Sequence, residues 1–188
     1  MYKVFVNDKP LFLTNQIFKE TDFQLFLLES VDFKQLIVKY FQNKIQEAYL
    51  YHPDEKEIMK VLKTKIPVNK AGGGLVYNKN GEVLFIFRNG KWDLPKGGTN
   101  KGEEMVETAM REVEEETGVN ELSISKKLQK TYHIFKRNGV YKLKIKFGNQ
   151  IIFFTFTLSF GRAPYEMGGG IRGRLLKTSS TTSKIKLV

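Results

Sequence analysis

The residues best suited to chemistry lie in one stretch, Gly97 to Val119, which reads GGTNKGEEMVETAMREVEEETGV. Four glutamates, Glu112, Glu114, Glu115 and Glu116, crowd its last turns. At about 100° per residue, Glu112, Glu115 and Glu116 fall within roughly 100° of helical arc. That arc lies beside an apolar stripe of Val106, Ala109, Met110 and Val113, spaced i, i+3, i+4 and i+7. Anions at the C-terminal end of a helix oppose its dipole by about 0.3–1 kcal/mol each. Glu112 and Glu116, four residues apart, also repel one another. A helix selected for stability would carry lysines there. A divalent cation reverses the sign of that cost, because Mg²⁺ and Mn²⁺ take hard oxygen ligands. A solvated acidic face accounts for Glu114, but not for the three glutamates beside the stripe.

The elements that must position this set can be read around it. Asn100 followed by Glu103 predicts a capping box, and Gly118 a left-handed C-terminal cap. Upstream, Gly72-Gly73-Gly74 permits close backbone approach or a sharp turn. It precedes no helix, so it is not a Rossmann or Walker loop. Leu75–Tyr77 and Val83–Phe87 predict a hairpin around Asn80-Gly81. Arg88 ends that strand, Asn89-Gly90 turns, and Lys91 to Lys96 lead into the glutamate stretch. Arg88 and Lys96 flank the turn either as phosphate contacts or as solvated surface. Trp92 is expected to pack in the core rather than stack on a base.

Residues 1–67 predict a small α/β domain. Strands Tyr2–Val6 and Leu11–Leu13 bracket the turn Asn7-Asp8-Lys9-Pro10, and Phe23–Leu28 is a third apolar run. Asp32 caps a helix to about Phe41, with Phe33, Leu36, Ile37 and Tyr40 on one side. Ile45–Tyr51 reads as a strand, and Pro53 as the first position of a helix giving Glu55–Lys65. His52 is expected as a surface or capping group. Lys65–Ala71 joins this part to a second domain, residues 68–160. There Lys126–Phe135 and Val140–Phe147 predict a hairpin around Asn138-Gly139, with His133 packed in its first strand. Ile151–Phe160 alternates like a strand.

Composition bounds the class. Of 188 residues 41% are hydrophobic and 13% aromatic, enough to build a globular core. Cysteine is absent, which excludes disulfides and Cys-based zinc and fits a cytoplasmic protein. The start has no secretory h-region and no segment reaches about 18 uninterrupted apolar residues, so no membrane partner is expected. The net charge of +11 is uneven. Residues 1–121 hold 17 Lys/Arg against 19 Asp/Glu, and residues 122–188 hold 14 against one, Glu166.

Gly97, Glu103 and the run Arg111-Glu112-Val113-Glu114-Glu115-Glu116-Thr117-Gly118-Val119 resemble the Nudix box at every defined position. Trp92-Asp93-Leu94-Pro95-Lys96-Gly97 and the preceding hairpin look like its approach, and the likeness covers about Lys70 to Phe147. The resemblance implies an α/β (α+β) fold, a Nudix-type α/β/α sandwich with a mixed sheet. It implies hydrolysis of a nucleoside diphosphate linked to another group, by water attacking phosphorus. It implies that Glu112, Glu115 and Glu116 bind Mg²⁺ (or Mn²⁺), with a backbone carbonyl at Gly97-Gly98 as a further ligand. Arg111 would hold the carboxylates and Glu103 would orient Arg111. The partner implied is a nucleotide-type small molecule, and Leu94-Pro95-Lys96-Gly97 looks like members acting on dinucleoside polyphosphates or inositol pyrophosphates.

The end of the chain departs from that pattern. Residues 161–188 hold three consecutive glycines and a Ser/Thr run without apolar periodicity, which predicts a disordered basic tail. The family's ending supplies further strands, a second helix and often another acid. The closure is therefore expected to be atypical or incomplete from about Lys146, through a shifted reading frame or a fusion. On that view the basic tail is weak support for nucleic acid. The competing reading is a Nudix-fold module that binds nucleotide or nucleic acid without turnover.

Overall fold

A computed structural model describes residues 1–17, 24–88, 90–153, 164–166, 172–177 and 184–187. Two compact units emerge, Met1–Asn69 with Thr131–Ile145, and Lys70–Lys130 with Lys146–Val188.

The first unit opens with β1 (Tyr2–Val6) and β2 (Lys9–Thr14), an antiparallel pair turned by Asn7 and Asp8, both at positive φ. β3 (Gln24–Leu27) follows, and Phe23 lies outside the described residues. Helix α1 (Phe33–Phe41) begins where Asp32 accepts from the Gln35 amide, and it buries Phe33, Leu36, Ile37 and Tyr40 as the spacing predicts. The strand expected from Ile45 is the shorter β4 (Ala48–Tyr51). Helix α2 (Glu55–Lys65) is capped by Asp54, so Pro53 stands before the cap and not at the first helical position. His52 is buried, not on the surface, with Nδ1 2.8 Å from the Asp54 carbonyl oxygen at the head of α2.

The chain then enters β5 (Val68–Tyr77), β6 (Leu84–Arg88), β7 (Lys91–Asp93) and β8 (Lys96–Gly98). Helix α3 (Met105–Thr117) carries the glutamates, and β9 (Leu122–Lys127) follows it. β10 (Thr131–Arg137) and β11 (Val140–Phe153) turn at Asn138-Gly139, both at positive φ, as that dipeptide predicts. Of the expected strand Ile151–Phe160, only Ile151–Phe153 is described. In the stretch expected as disordered, the described parts are strands: β12 (Pro164–Glu166), β13 (Arg172–Lys177) and β14 (Lys184–Leu187). The rest of 161–188 lies outside the described residues.

In the first unit the strands run β3-β4-β2-β1-β10-β11, with β4 parallel to β2 and β3, and β1 parallel to β10. Val4, Val6, Leu11, Leu13, Ala48 and Leu50 are buried, as are Ile58 and Leu62 of α2. Alternation sends Lys3, Phe5, Phe12 and Tyr49 to the opposite, half-open face.

In the second unit β9 and β5 neighbour β11, and β8 continues beyond β5. A second sheet runs β12-β13-β14-β6-β7. The hairpin expected at Asn80-Gly81 is therefore only a local turn. Tyr77 and Val83 form a single bridge, and β6 gives its ladders to β7 and β14. Val76, Leu84, Ile86, Ala109, Val113, Val119 and Ile151 form the core. Each residue of the Gly72-Gly73-Gly74 run is pressed by a different neighbour. A Cβ at Gly72 would meet the α3 backbone at 2.9 Å, one at Gly73 would overlap Pro95 and Lys96, and one at Gly74 would overlap the Asn149 carbonyl. The run is thus strand, and its glycines permit close approach rather than a sharp turn. Among the described residues α3 is the one helix of this unit.

Candidate active site

Two details of α3 differ from expectation. Its capping box is Glu104 with Glu107, not Asn100 with Glu103, and the first turn starts at Met105. The buried stripe is Thr108, Ala109, Val113 and Thr117, so Val106 and Met110 are only partly covered. Gly118 closes the helix at φ 71°, its amide donating to the Glu114 carbonyl.

Glu103 and Asn100 serve the site in another way. The Glu103 carboxylate accepts from the Asn100 amide and the Thr108 hydroxyl, both at 2.9 Å, and meets Arg111 as a fork. Arg111 Nε donates to Glu103 Oε1 at 2.7 Å and Nη2 to Oε2 at 2.9 Å. Its Nη1 donates to both Glu112 and Glu115 at 2.9 Å, and Nη2 also reaches the Gly98 carbonyl at 2.9 Å. A guanidinium has five N–H donors, and all five are used. The Arg111 hydrogen bond, followed by that of the Asn100 amide, holds the Glu103 carboxyl down at about 2. The same Glu103 bond pushes the Arg111 guanidinium above its ordinary value.

Glu116 is held separately. Its Oε1 accepts from Arg88 Nη1 at 2.5 Å and its Oε2 from the Lys96 amide at 2.8 Å. Burial pushes its carboxyl up, against the downward pull of the Lys96 amide and Arg88. Arg88 and Lys96 both pair with Asp93, a residue to which the sequence reading gave no role. Burial raises the Asp93 carboxyl, but Lys96 and Arg88 outweigh it and the net shift is downward. The i,i+3 spacing of Asp93 and Lys96 is the one trace this pairing leaves in the sequence, and it is too common to single Asp93 out. Trp92 is half-buried, its ring centroid 5.1 Å from that of Phe87.

The Glu112 carboxylate lies against Gly97, where any Cβ would overlap it. Thus Glu103, Arg111, Glu112, Glu115, Gly97 and Gly98 form one cluster, while Glu116, Arg88, Lys96 and Asp93 form a second. For a hard divalent cation, the donor set fits in kind: three carboxylates on one helix, beside the Gly97-Gly98 end of β8, which has no side chains. Their arrangement is set by the arginines. Among the described residues no three Asp, Glu or His side chains are grouped closely enough to hold a metal ion.

A family model described as NUDIX domain matches residues 68–167, more than half of the chain. The chain belongs to the Nudix family. An RNA pyrophosphohydrolase of Pelagibacter ubique (strain HTCC1062) is 37% identical over 68 residues, covering 34% of this chain and 43% of that protein. Nudix hydrolase 8 of Arabidopsis thaliana is 34% identical over 94 residues, covering 40% of this chain and 26% of that protein. The matched part thus spans less than half the length of these relatives. Among solved structures, a MutT protein from Methanosarcina mazei Go1 is 27% identical, with a TM-score of 0.38 over 50% of this chain and 68% of that one. Nudix hydrolases generally use divalent metals. No helix among the described residues is long and apolar enough to cross a membrane.

Proposed function

We propose that this chain is a metal-dependent Nudix pyrophosphohydrolase of the cytoplasm, cleaving a phosphoanhydride bond in a nucleoside diphosphate linked to a further group. The observation that carries this reading is Arg111, whose five donors tie Glu103, Glu112, Glu115 and the Gly98 carbonyl into one charged cluster. Phosphoryl transfer needs such positioning and charge compensation more than covalent participation. Glu112, Glu115 and Glu116, with the Gly97 carbonyl, would hold Mg²⁺ or Mn²⁺. That ion, when bound, would neutralise phosphate charge and sharpen the attacking water. Glu103 fixes the guanidinium plane, Arg111 orients Glu112 and Glu115, and the Lys96 amide orients Glu116. Arg88 and Lys96 are the cations assigned to substrate phosphate, each exchanging a carboxylate partner for it. RNA pyrophosphohydrolase, the name of one relative, and the resemblance of Leu94-Pro95-Lys96-Gly97 to dinucleoside polyphosphate enzymes together support a substrate with an extended phosphate chain.

A binding module without turnover is the competing reading. It is favoured by the ion pairing of Glu116 with Arg88, which leaves the carboxylates ungrouped. A panel of capped and linked nucleoside diphosphates, assayed for phosphate release with Mg²⁺, separates the two. Turnover in the wild type that falls by at least about 100-fold in Glu116→Gln supports the hydrolase. Tight nucleotide binding with no turnover on any substrate supports the module, and turnover that survives the substitution removes Glu116 from the metal set.

A further inference from the structure

The half-open face of the first unit carries a row of rings across four adjacent strands. Tyr49 of β4 stacks on Phe12 of β2 with centroids 4.9 Å apart and planes 22° from parallel. Phe5 of β1 stacks on His133 of β10 at 5.4 Å and 22°. Lys3 joins the two pairs, its Nζ lying 5.1 Å from the Phe5 centroid and 5.5 Å from that of Phe12. All four rings are partly exposed, and at the sheet edge Leu25 and Leu27 of β3 are 41% and 59% exposed.

Cross-strand aromatic pairs stabilise a sheet wherever they occur. The charge around these rings is the second observation. Across β1, β2, β3, β4, β10 and residues 140–145 of β11 there is no Asp or Glu at all. Lys142 and Lys144 alternate with buried Leu143 and Ile145, which puts them on the ring-bearing face, and Arg137 falls in register with His133. One acid, Glu47 ahead of β4, reaches the row and accepts from the Tyr49 hydroxyl at 3.1 Å. Stacking faces on strands that carry cations and no acidic residue suit a polyanion whose bases are unpaired.

The geometry points to this face as a binding platform for single-stranded nucleic acid. Bases stack on Phe12, Tyr49 and Phe5, and Lys3, Arg137, Lys142 and Lys144 meet the phosphates. The platform is independent of the pyrophosphohydrolase reading and of the basic tail.

The test uses the full chain with a fluorescein-labelled dodecamer of uridylate, followed by anisotropy as salt is raised. Binding is expected with a log–log salt slope of about −3, the value for four phosphate contacts on a single strand. Phe12→Leu keeps an apolar side chain but removes the ring face, and is expected to weaken binding about tenfold. Lys3→Ser is expected to flatten the slope by about 0.7. Thermal melting of each variant reports a purely structural role. Two outcomes overturn the proposal. One is binding to which Phe12→Leu and Lys3→Ser are both indifferent, which would put the oligonucleotide elsewhere. The other is no binding by a folded wild type; a dimer by sedimentation that Phe12→Leu dissociates would then assign the face to a second copy of this chain.

Discussion

At the scale of single residues, the site is an arrangement of counter-charges. Arg111 has no spare donor, so replacement by lysine removes the fork to Glu103 while keeping the charge. Arg111→Lys is expected to lower kcat/KM by about 10- to 100-fold, the cost typical of a residue that orients ligands. Steady-state kinetics at saturating Mg²⁺ checks it. Glu103 and Glu116 respond to pH in opposite ways. The Glu103 carboxyl sits at about 2 in the folded chain against an ordinary 4.5, so its contribution is complete above 4.5 and lost as pH falls through 2. Melting temperatures recorded from pH 6 to pH 2 should fall more steeply for the wild type than for Glu103→Gln. Glu116 is raised, so its stabilising contribution exists below its ordinary value and disappears as pH climbs through the raised one. Glu116→Gln should therefore melt no lower than the wild type at pH 8 in the absence of metal, while losing activity. That combination marks a residue kept for chemistry at some cost to the fold. The three glutamates stand out in the sequence because their placement opposes the helix dipole, whereas Arg111 enters only through the resemblance to the Nudix box. Asp93 does not stand out, because an acid three residues before a lysine is commonplace and its link to Arg88 runs between strands.

Among elements, the local signals were the readable ones. Asp32 capped α1 and Gly118 closed α3, each through a bond within a few residues, and Asn138-Gly139 turned β10 into β11 through its positive φ angles. Pairings over long separations left no local trace. β1 lies beside β10, more than a hundred residues on, and β6 takes β14 as a partner, while Val83 just before β6 makes an isolated bridge with Tyr77 at the end of β5. Asn80-Gly81 produced the right turn but not the ladder, because β5 and β6 belong to different sheets. Asn100 and Glu103 do interact, but in the turn ahead of α3, so their spacing does not mark its start. Gly118→Ala forces a side chain into the left-handed region, and should cost about 1 kcal/mol and lower Tm by about 3 °C without changing KM. Gly97→Ala keeps the backbone but puts a methyl where the Glu112 carboxylate lies. Mn²⁺ titration calorimetry should show affinity down by about 10-fold or more, with far-UV dichroism unchanged.

For the whole molecule, the proposed metal would couple to folding. An ion that binds only the folded chain adds about 2.7 kcal/mol of stability at one hundred times its dissociation constant. Mg²⁺ should therefore raise Tm by several degrees in the wild type and not in Glu112→Ala, and more at pH 8 than at pH 5, because the Glu116 carboxyl, raised by burial, must shed its proton to bind. The charge asymmetry also takes on meaning at this scale. Residues 122–188 hold 14 cations and one acid, and part of that excess, Arg137, Lys142 and Lys144, lies within the first unit rather than in the tail.

The glycines of β5 have an evolutionary consequence. Gly72, Gly73 and Gly74 each face a backbone or side chain where even a methyl has no room, and three separate neighbours set that limit. Their identity is fixed by size alone. In a saturation-mutagenesis library scored only for intracellular abundance, positions 72–74 should tolerate substitution as poorly as the core does. Glu112 and Glu116 should look permissive in that screen and become intolerant only when survival depends on turnover. The two kinds of constraint would then appear as separate bands along one chain.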